Sequence, residues 1–347
     1  SDGATISMMN MAFKSNDARN GHGGAVLCSG NSTLTLHDAL FSGNTAKGSG
    51  GAMYQHSGIS SIVQAVFTDN TAATSGGAIY GTSEAQMRVT NSVFNRNTAG
   101  NSFGAIGLAQ GANAVITGIL ATRNSASVNG GGIGCADDDS GSDMVVTNAT
   151  IIQNSAKTGG GIYDEGTSTK IRNSIIVGNS PADAKLTPEV LRLGRCNILG
   201  LPIGIRYVAN GSTQPDGTPV AGPFFVDSAR GDYRPSAASE SINAGDSSLY
   251  AAGATPDISG TTTDVAGKDR IIGKNIDVGA FEHSCTQPAQ FKASIAAAPD
   301  SRVTVNSTVT FTLYLDNAGG NPAVQWLKNN TPIPGASGTT YQAVAGM

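Results

Sequence analysis

The side chains best suited to chemistry are acidic and close together: Asp137, Asp138, Asp139 and Asp143, followed a short way on by Asp164 and Glu165. Carboxylates grouped in this way are hard oxygen donors for a calcium ion. A pair of them is also the acid and base of a glycosidase. Acidic loops are, in addition, simply well solvated. All three roles are open from the residues alone. Asp138, Asp139 and Asp143 are the calcium candidates, while Asp137, Asp138, Asp139, Asp164 and Glu165 are the ligand-binding candidates. No residue is singled out as catalytic. The nearby Lys170 and Arg172 alternate along a strand in a way that points them to solvent. Tyr54, Tyr80 and Tyr163 share one repeat position as a strip for stacking sugar rings, but Gly107 and Gly134 interrupt it, which favours packing. His37, His56 and His283 have neither metal spacing nor a triad context. The chain has no phosphate loop, dinucleotide fingerprint or nucleophile elbow.

What positions these residues is a repeat. A large apolar residue stands three places before an asparagine at Phe13/Asn16, Phe41/Asn44, Phe67/Asn70 and Phe94/Asn97, and the pattern continues, relaxed, at Ala121/Asn124, Ile151/Asn154 and Ile176/Asn179. The period is about 27 residues, which marks a solenoid. Met8, Leu36, Ile62, Val89, Ile116, Val146 and Ile171 form an aliphatic column eight places before the asparagine. Apolar and polar residues alternate around them with strand periodicity. We therefore expect three short strands per coil, one after the glycines and two before the asparagine. Parallel stacking of the coils gives an all-β, right-handed parallel β-helix. Gly24, Gly51, Gly77, Gly104, Gly132 and Gly161 should supply positive φ or close approach at a corner. The asparagines should tolerate a left-handed backbone and bond neighbouring coils. Aligning Gly132 with Gly161 sets Ala136 over Glu165, so the acids are expected to form one patch on one face. Cys28 and Cys135 fall in one column four coils apart, about 19 Å at ~4.8 Å per coil, too far to pair.

Bulk composition agrees. Charged residues are 13% and glycine numbers 46 of 347, while 39% hydrophobic content is ordinary. That balance indicates extensive β structure. A net charge of -4 with no basic stripe excludes nucleic acid as the expected partner. No run of 18 apolar residues is present, so no membrane-spanning helix is expected. The first strand-like stretch starts almost at once, and the expected reading is a piece of a longer chain. Residues 1–180 are expected to be regular coils, 181–284 irregular final coils with a cap, and 285–347 a separate module.

The glycine openings Gly23-Gly24-Ala25-Val26, Gly50-Gly51-Ala52-Met53 and Gly76-Gly77-Ala78-Ile79, each followed by Phe-x-x-Asn, resemble the GGAI and FxxN repeats of polymorphic outer membrane proteins. Further on, Ser241-Ile242-Asn243-Ala244-Gly245-Asp246 and Ile276-Asp277-Val278-Gly279-Ala280-Phe281-Glu282 are similar to the end of choice-of-anchor Q β-helix proteins. Thr308-Val309-Thr310-Phe311-Thr312-Leu313-Tyr314-Leu315, Val324-Gln325-Trp326-Leu327-Lys328 and Thr339-Thr340-Tyr341 resemble strands of an immunoglobulin-like sandwich, here incomplete, as in giant type IX-secreted adhesins of Bacteroidota. Cys285 lies too early for the usual intersheet cysteine, and its pairing with Cys196 is left open. Gly21-His22-Gly23 resembles an element of polygalacturonases, but it precedes the aspartates and lacks that family's partner motifs. Together the resemblances imply a secreted, bacterial cell-surface protein, a non-enzymatic adhesin that binds glycans or surface proteins of another cell, with no cofactor unless calcium. Two alternatives stand beside it: a polysaccharide lyase or hydrolase using the acidic patch, and a homo-oligomeric filament subunit whose sandwich is completed by another chain.

Overall fold

The computed structural model of the chain describes residues 3–136, 141–165, 169–186, 192–194, 197–198, 225–237, 239, 241–273, 275–283, 292–298, 303–316 and 324–345. It divides into two units, residues 1–283 and 284–347.

The first unit is a solenoid of parallel ladders. Five-residue strands such as Thr33–His37, Ile59–Val63 and Gln86–Thr90 stack into an eight-stranded long ladder. Three-residue strands such as Leu40–Ser42 and Val66–Thr68 make a second eight-stranded ladder, and strands after the glycines, such as Met53–His56, make a seven-stranded one. The alternating pattern sets the register. Leu36 lies beside Ile62, Ile62 beside Val89, and Val89 beside Ile116, all fully buried. Phe13, Phe41, Phe67 and Phe94 stack with centroids 4.6, 4.6 and 4.9 Å apart, nearly parallel. Each fully buried phenylalanine contributes about 2–3 kcal/mol of apolar burial.

The first five coils have four strands each where three were expected. The fourth is a two-residue pair after the asparagine, Thr45–Ala46, Thr71–Ala72 and Thr98–Ala99 among them, in its own five-stranded ladder. Its inward residue is only alanine, so it adds almost nothing to an apolar pattern, yet the triplet Asn-Thr-Ala repeats in the sequence.

The asparagine ladder is internal and saturated. Asn44 Nδ2 donates to Asn70 Oδ1 (2.9 Å) and Phe13 O (3.0 Å), while its own Oδ1 accepts from Asn16 N (3.0 Å) and Asn16 Nδ2 (2.8 Å). All four hydrogen-bonding sites of the amide are thereby used. The pattern runs on to Asn179, whose N and Nδ2 donate to Asp183 Oδ1, so a carboxylate stands where the next amide belongs. Contrary to expectation, these asparagines are not left-handed. The positive φ falls one residue earlier, at Ser15, Gly43, Asp69, Arg96, Arg123, Gln153 and Gly178. At the glycine corner the two requirements are split between neighbours. Gly50 and Gly76 have φ of 70°, whereas a Cβ on Gly51 or Gly77 would run into the carbonyl oxygen of Gly77 or Gly104.

Residues 225–283 lie along the flank of the solenoid, over the corner where the long strand turns into the phenylalanine strand. Phe225, Tyr233 and Val278 pack on Leu120, Ile152, Ile175 and Val177. Tyr250, Ile258 and Ile276 form a second cluster against Val115. This strap is held to itself by Arg270, which is 1% exposed and donates to Ala280 O (2.8 Å) and Gly279 O (2.7 Å), with Glu282 Oε2 at 3.7 Å.

In the second unit, Lys292–Ala298, Thr308–Asp316 and Thr340–Val344 form a three-stranded antiparallel sheet, and Leu327–Lys328 pairs with Thr331–Pro332. Phe311, Trp326 and Tyr341 cluster with centroids 5.8–6.4 Å apart. The described residues form small antiparallel sheets.

Candidate functional site

Among the described residues, Asp143, Asp164 and Glu165 do not share one surface patch. Asp164 pairs with Cys135 in the post-glycine ladder and faces inward, with no exposed surface; Thr169 Oγ1 donates to its Oδ1 at 2.7 Å. Strand parity puts it on the same side as Ile162, which is also fully buried. Glu165 is at the surface, where Lys185 Nζ donates to Oε1 at 3.0 Å and sits 5.2 Å from the Tyr163 ring centre. Burial pushes the Glu165 carboxyl up, but hydrogen bonds from Tyr163 and Lys185, with the lysine's charge, outweigh it and hold Glu165 below the usual range. Asp143 opens a strand of a different ladder, Asp143–Thr147. Asp137, Asp138 and Asp139 lie outside the described residues. Among the described residues no three His, Cys, Asp or Glu side chains converge as a metal site, and no helix is long and apolar enough to cross a membrane. Cys196 and Cys285 also lie outside the described residues.

The tyrosine column behaves as packing. The ring centres of Tyr54 and Tyr80 are 6.0 Å apart at 23°, and His22 lies 4.4 Å from Tyr54 on top of the column. The ring faces are therefore turned along the solenoid axis toward one another, and a sugar ring from solvent would meet edges. The gap at Gly107 and Gly134 is filled by Phe103, whose ring occupies the space a Cβ at either glycine would need. Phe103 stands where other coils have the first glycine, and it keeps that residue's left-handed backbone, φ 66°.

A groove of about 340 Å³ lies on the outer face of the long ladder. Its floor comes from four successive coils. Ile59, Gln86, Asn113 and Asp143 are register partners in one outward column, and Arg88, Val115 and Val145 in the next. Coil spacing of ~4.8 Å spreads the first column over roughly 14 Å. The polar groups are held in place: Gln86 Nε2 donates to Glu84 O (3.2 Å), Asn113 Nδ2 to Gly111 O (3.0 Å), and Arg88 Nη1 to the strap at Asp257 O (3.2 Å). Val115 is buttressed by the strap's Ile258 cluster. Sequence reasoning found Asp143 but missed Gln86, Arg88 and Asn113. Aligning outward strand positions across coils would have listed the columns, although not their concavity.

An elongated, groove-bearing solenoid of parallel β-strands is the class of protein that this geometry defines. The family model described as Beta_helix, right handed beta helix region, matches residues 24–197, half of the chain, and the protein belongs to that family. No curated protein and no solved structure matches it.

Proposed function

We propose that the β-helix is a non-enzymatic binding module that holds an extended glycan along the groove of the long ladder, on the outside of a bacterial cell. The observation that carries this reading is the groove's composition. Amide, carboxylate and guanidinium groups from Gln86, Asn113, Asp143 and Arg88 recur at coil spacing beside aliphatic Ile59, Val115 and Val145. Hydroxyl-rich rings with apolar faces are the ligand such a surface suits. The rise of an extended pyranose chain is close to one rung, so successive sugars meet equivalent positions, and weak contacts sum along the chain. The composition also favours binding over cleavage. Asp164 is committed to Thr169 inside the core and Glu165 to Lys185, which removes both from acid–base work at a surface ligand. The second unit, read as part of an immunoglobulin-like stalk, would carry the module away from its own cell. A glycan array probed with the purified chain and with Arg88→Ala/Asn113→Ala tests the proposal. Binding to one class of linear glycan, lost in the double variant, is expected. Release of product from pectin, alginate or chondroitin, or binding indifferent to the double variant, would refute it.

A further inference from the structure

The strap reveals what the solenoid's corner can recognise. Between the long strand and the phenylalanine strand, each coil turns through one left-handed residue: Asn10, Asp38, Gln64, Asn91, Gly118, Asn148 and Asn173, with φ of 47–66°. Where the strap lies, the corner amides bind its backbone. Asn91 Nδ2 donates to Thr263 O (2.9 Å), and Asn148 Nδ2 to Asp277 O (2.7 Å) and Gly279 O (3.1 Å). Asn173 makes a two-way pair, Nδ2 donating to Asp246 O (3.1 Å) and Oδ1 accepting from Asp246 N (2.9 Å). The flanking aliphatics Leu120, Ile175 and Val177 are covered at the same time. Recognition is of peptide backbone, with apolar burial on one side.

Among the described residues the strap's contacts reach no nearer the start of the chain than Arg88, Asn91 and Val93. In the first three coils the same left-handed corner carries Asn10, Asp38 and Gln64, all exposed. The flanking positions there are apolar as well: Met9 is 62% exposed and Val66 37%, with Leu40 and Val63 half-buried beside them. Asp38 Oδ2 lies 2.7 Å from His37 Nδ1, within hydrogen-bonding distance. The covered track thus continues, uncovered, for three more coils.

We infer that this open corner is a docking site for an extended polypeptide segment of a partner protein, laid along the solenoid axis across the three corner positions. Asn10 and Gln64 read its backbone, Asp38 accepts from its N–H groups, and Val66, Val63, Leu40 and Met9 cover its apolar side chains. Asn10 and Gln64 are two rungs apart, roughly 10 Å, so about three extended residues span them and five or six fill the site. The inference is independent of the glycan groove, which lies on the face of the long ladder.

The test uses the full chain and a fluorescein-labelled peptide of the strap's own sequence 276–282, Ile-Asp-Val-Gly-Ala-Phe-Glu, with polarisation as readout. Saturable binding is expected, weakened at least tenfold in Val66→Asp and in Asn10→Ala/Gln64→Ala, and unchanged in Thr98→Ala on another ladder. These positions are exposed, and circular dichroism checks that each variant keeps the wild-type spectrum. Three results overturn the inference: no binding at millimolar peptide, binding indifferent to Val66→Asp, or binding lost only in Asn148→Ala, which would place the peptide in the strap's own seat. Capture of a glycan at this corner with no peptide binding would overturn it equally.

Discussion

Replacing Asn97 by alanine should cost more than almost any other single change in the solenoid. Its side chain has no exposed surface and makes four hydrogen bonds: Oδ1 accepts from Asn70 N (3.1 Å) and Asn70 Nδ2 (2.8 Å), and Nδ2 donates to Phe67 O (3.0 Å) and Asn124 Oδ1 (2.9 Å). Asn124 Oδ1 keeps its bond from Asn97 N, and Asn70 Nδ2 keeps its bond to Phe41 O. What remains is the buried Asn70 N–H and one amide proton with no acceptor, together with a small void. Each stranded group costs about 1–3 kcal/mol. The total is then about 3–5 kcal/mol. At the ladder's start, Asn16→Ala removes an exposed side chain, and Asn44 Oδ1 still accepts from Asn16 N. Its cost should stay below about 1 kcal/mol. Urea denaturation followed by circular dichroism measures both. Equal midpoints for Asn97→Ala and Asn16→Ala would refute the idea that the amide ladder is a principal fastening between coils.

Other perturbations follow from the same geometry. Burial raises Asp183 to about 6 despite hydrogen bonds from Asn179, so its favourable contribution is complete below the unfolded value near 3.8 and is lost as pH rises through about 6. Asp183→Asn keeps the acceptor without the charge. It should match wild type at pH 4 and exceed it by about 1–3 kcal/mol at pH 8; thermal melts at the two pH values decide. Gly77→Ala sets a Cβ against the Gly104 carbonyl oxygen and should destabilise by about 3 kcal/mol, a loss absent from the melting curve if the coils can spread. Removing the buried guanidinium in Arg270→Met leaves the Ala280 and Gly279 carbonyls with one donor each, Val265 N and Asn148 Nδ2, and leaves Glu282 beside Asp277 without a cation. The strap amides should then exchange hydrogen much faster while the phenylalanine ladder stays protected; uniform protection would contradict this.

The ladder architecture is legible in the sequence because burial repeats at fixed spacing. Leu36, Ile62 and Val89 are register partners because each is the inward residue of an alternating strand. Weak local signals are lost. The Thr-Ala strand hides because alanine scarcely registers as core, and the left-handed position preceding each asparagine is occupied by residues as different as Gly43, Asp69 and Arg96, which share a backbone role but no side-chain type. Asp164 looks like a member of an acidic surface cluster because sequence proximity to Glu165 is visible and strand parity is easily overlooked. The strap was least accessible. Its seat depends on contacts such as Asn148 with Gly279, 131 residues apart, which no local pattern encodes. Phe103 is the instructive exception in a regular array, since its departure from glycine makes sense only beside the out-facing Gly107 and Gly134.

The glycan groove is tested most directly by calorimetric titration with a length series of one linear oligosaccharide identified on the array. The floor comprises four rungs, Ile59, Gln86, Asn113 and Asp143, so affinity should climb with each added sugar up to about four units and then level off. Affinity that is already complete with a single sugar, or that keeps rising well past the groove's length, would contradict the account.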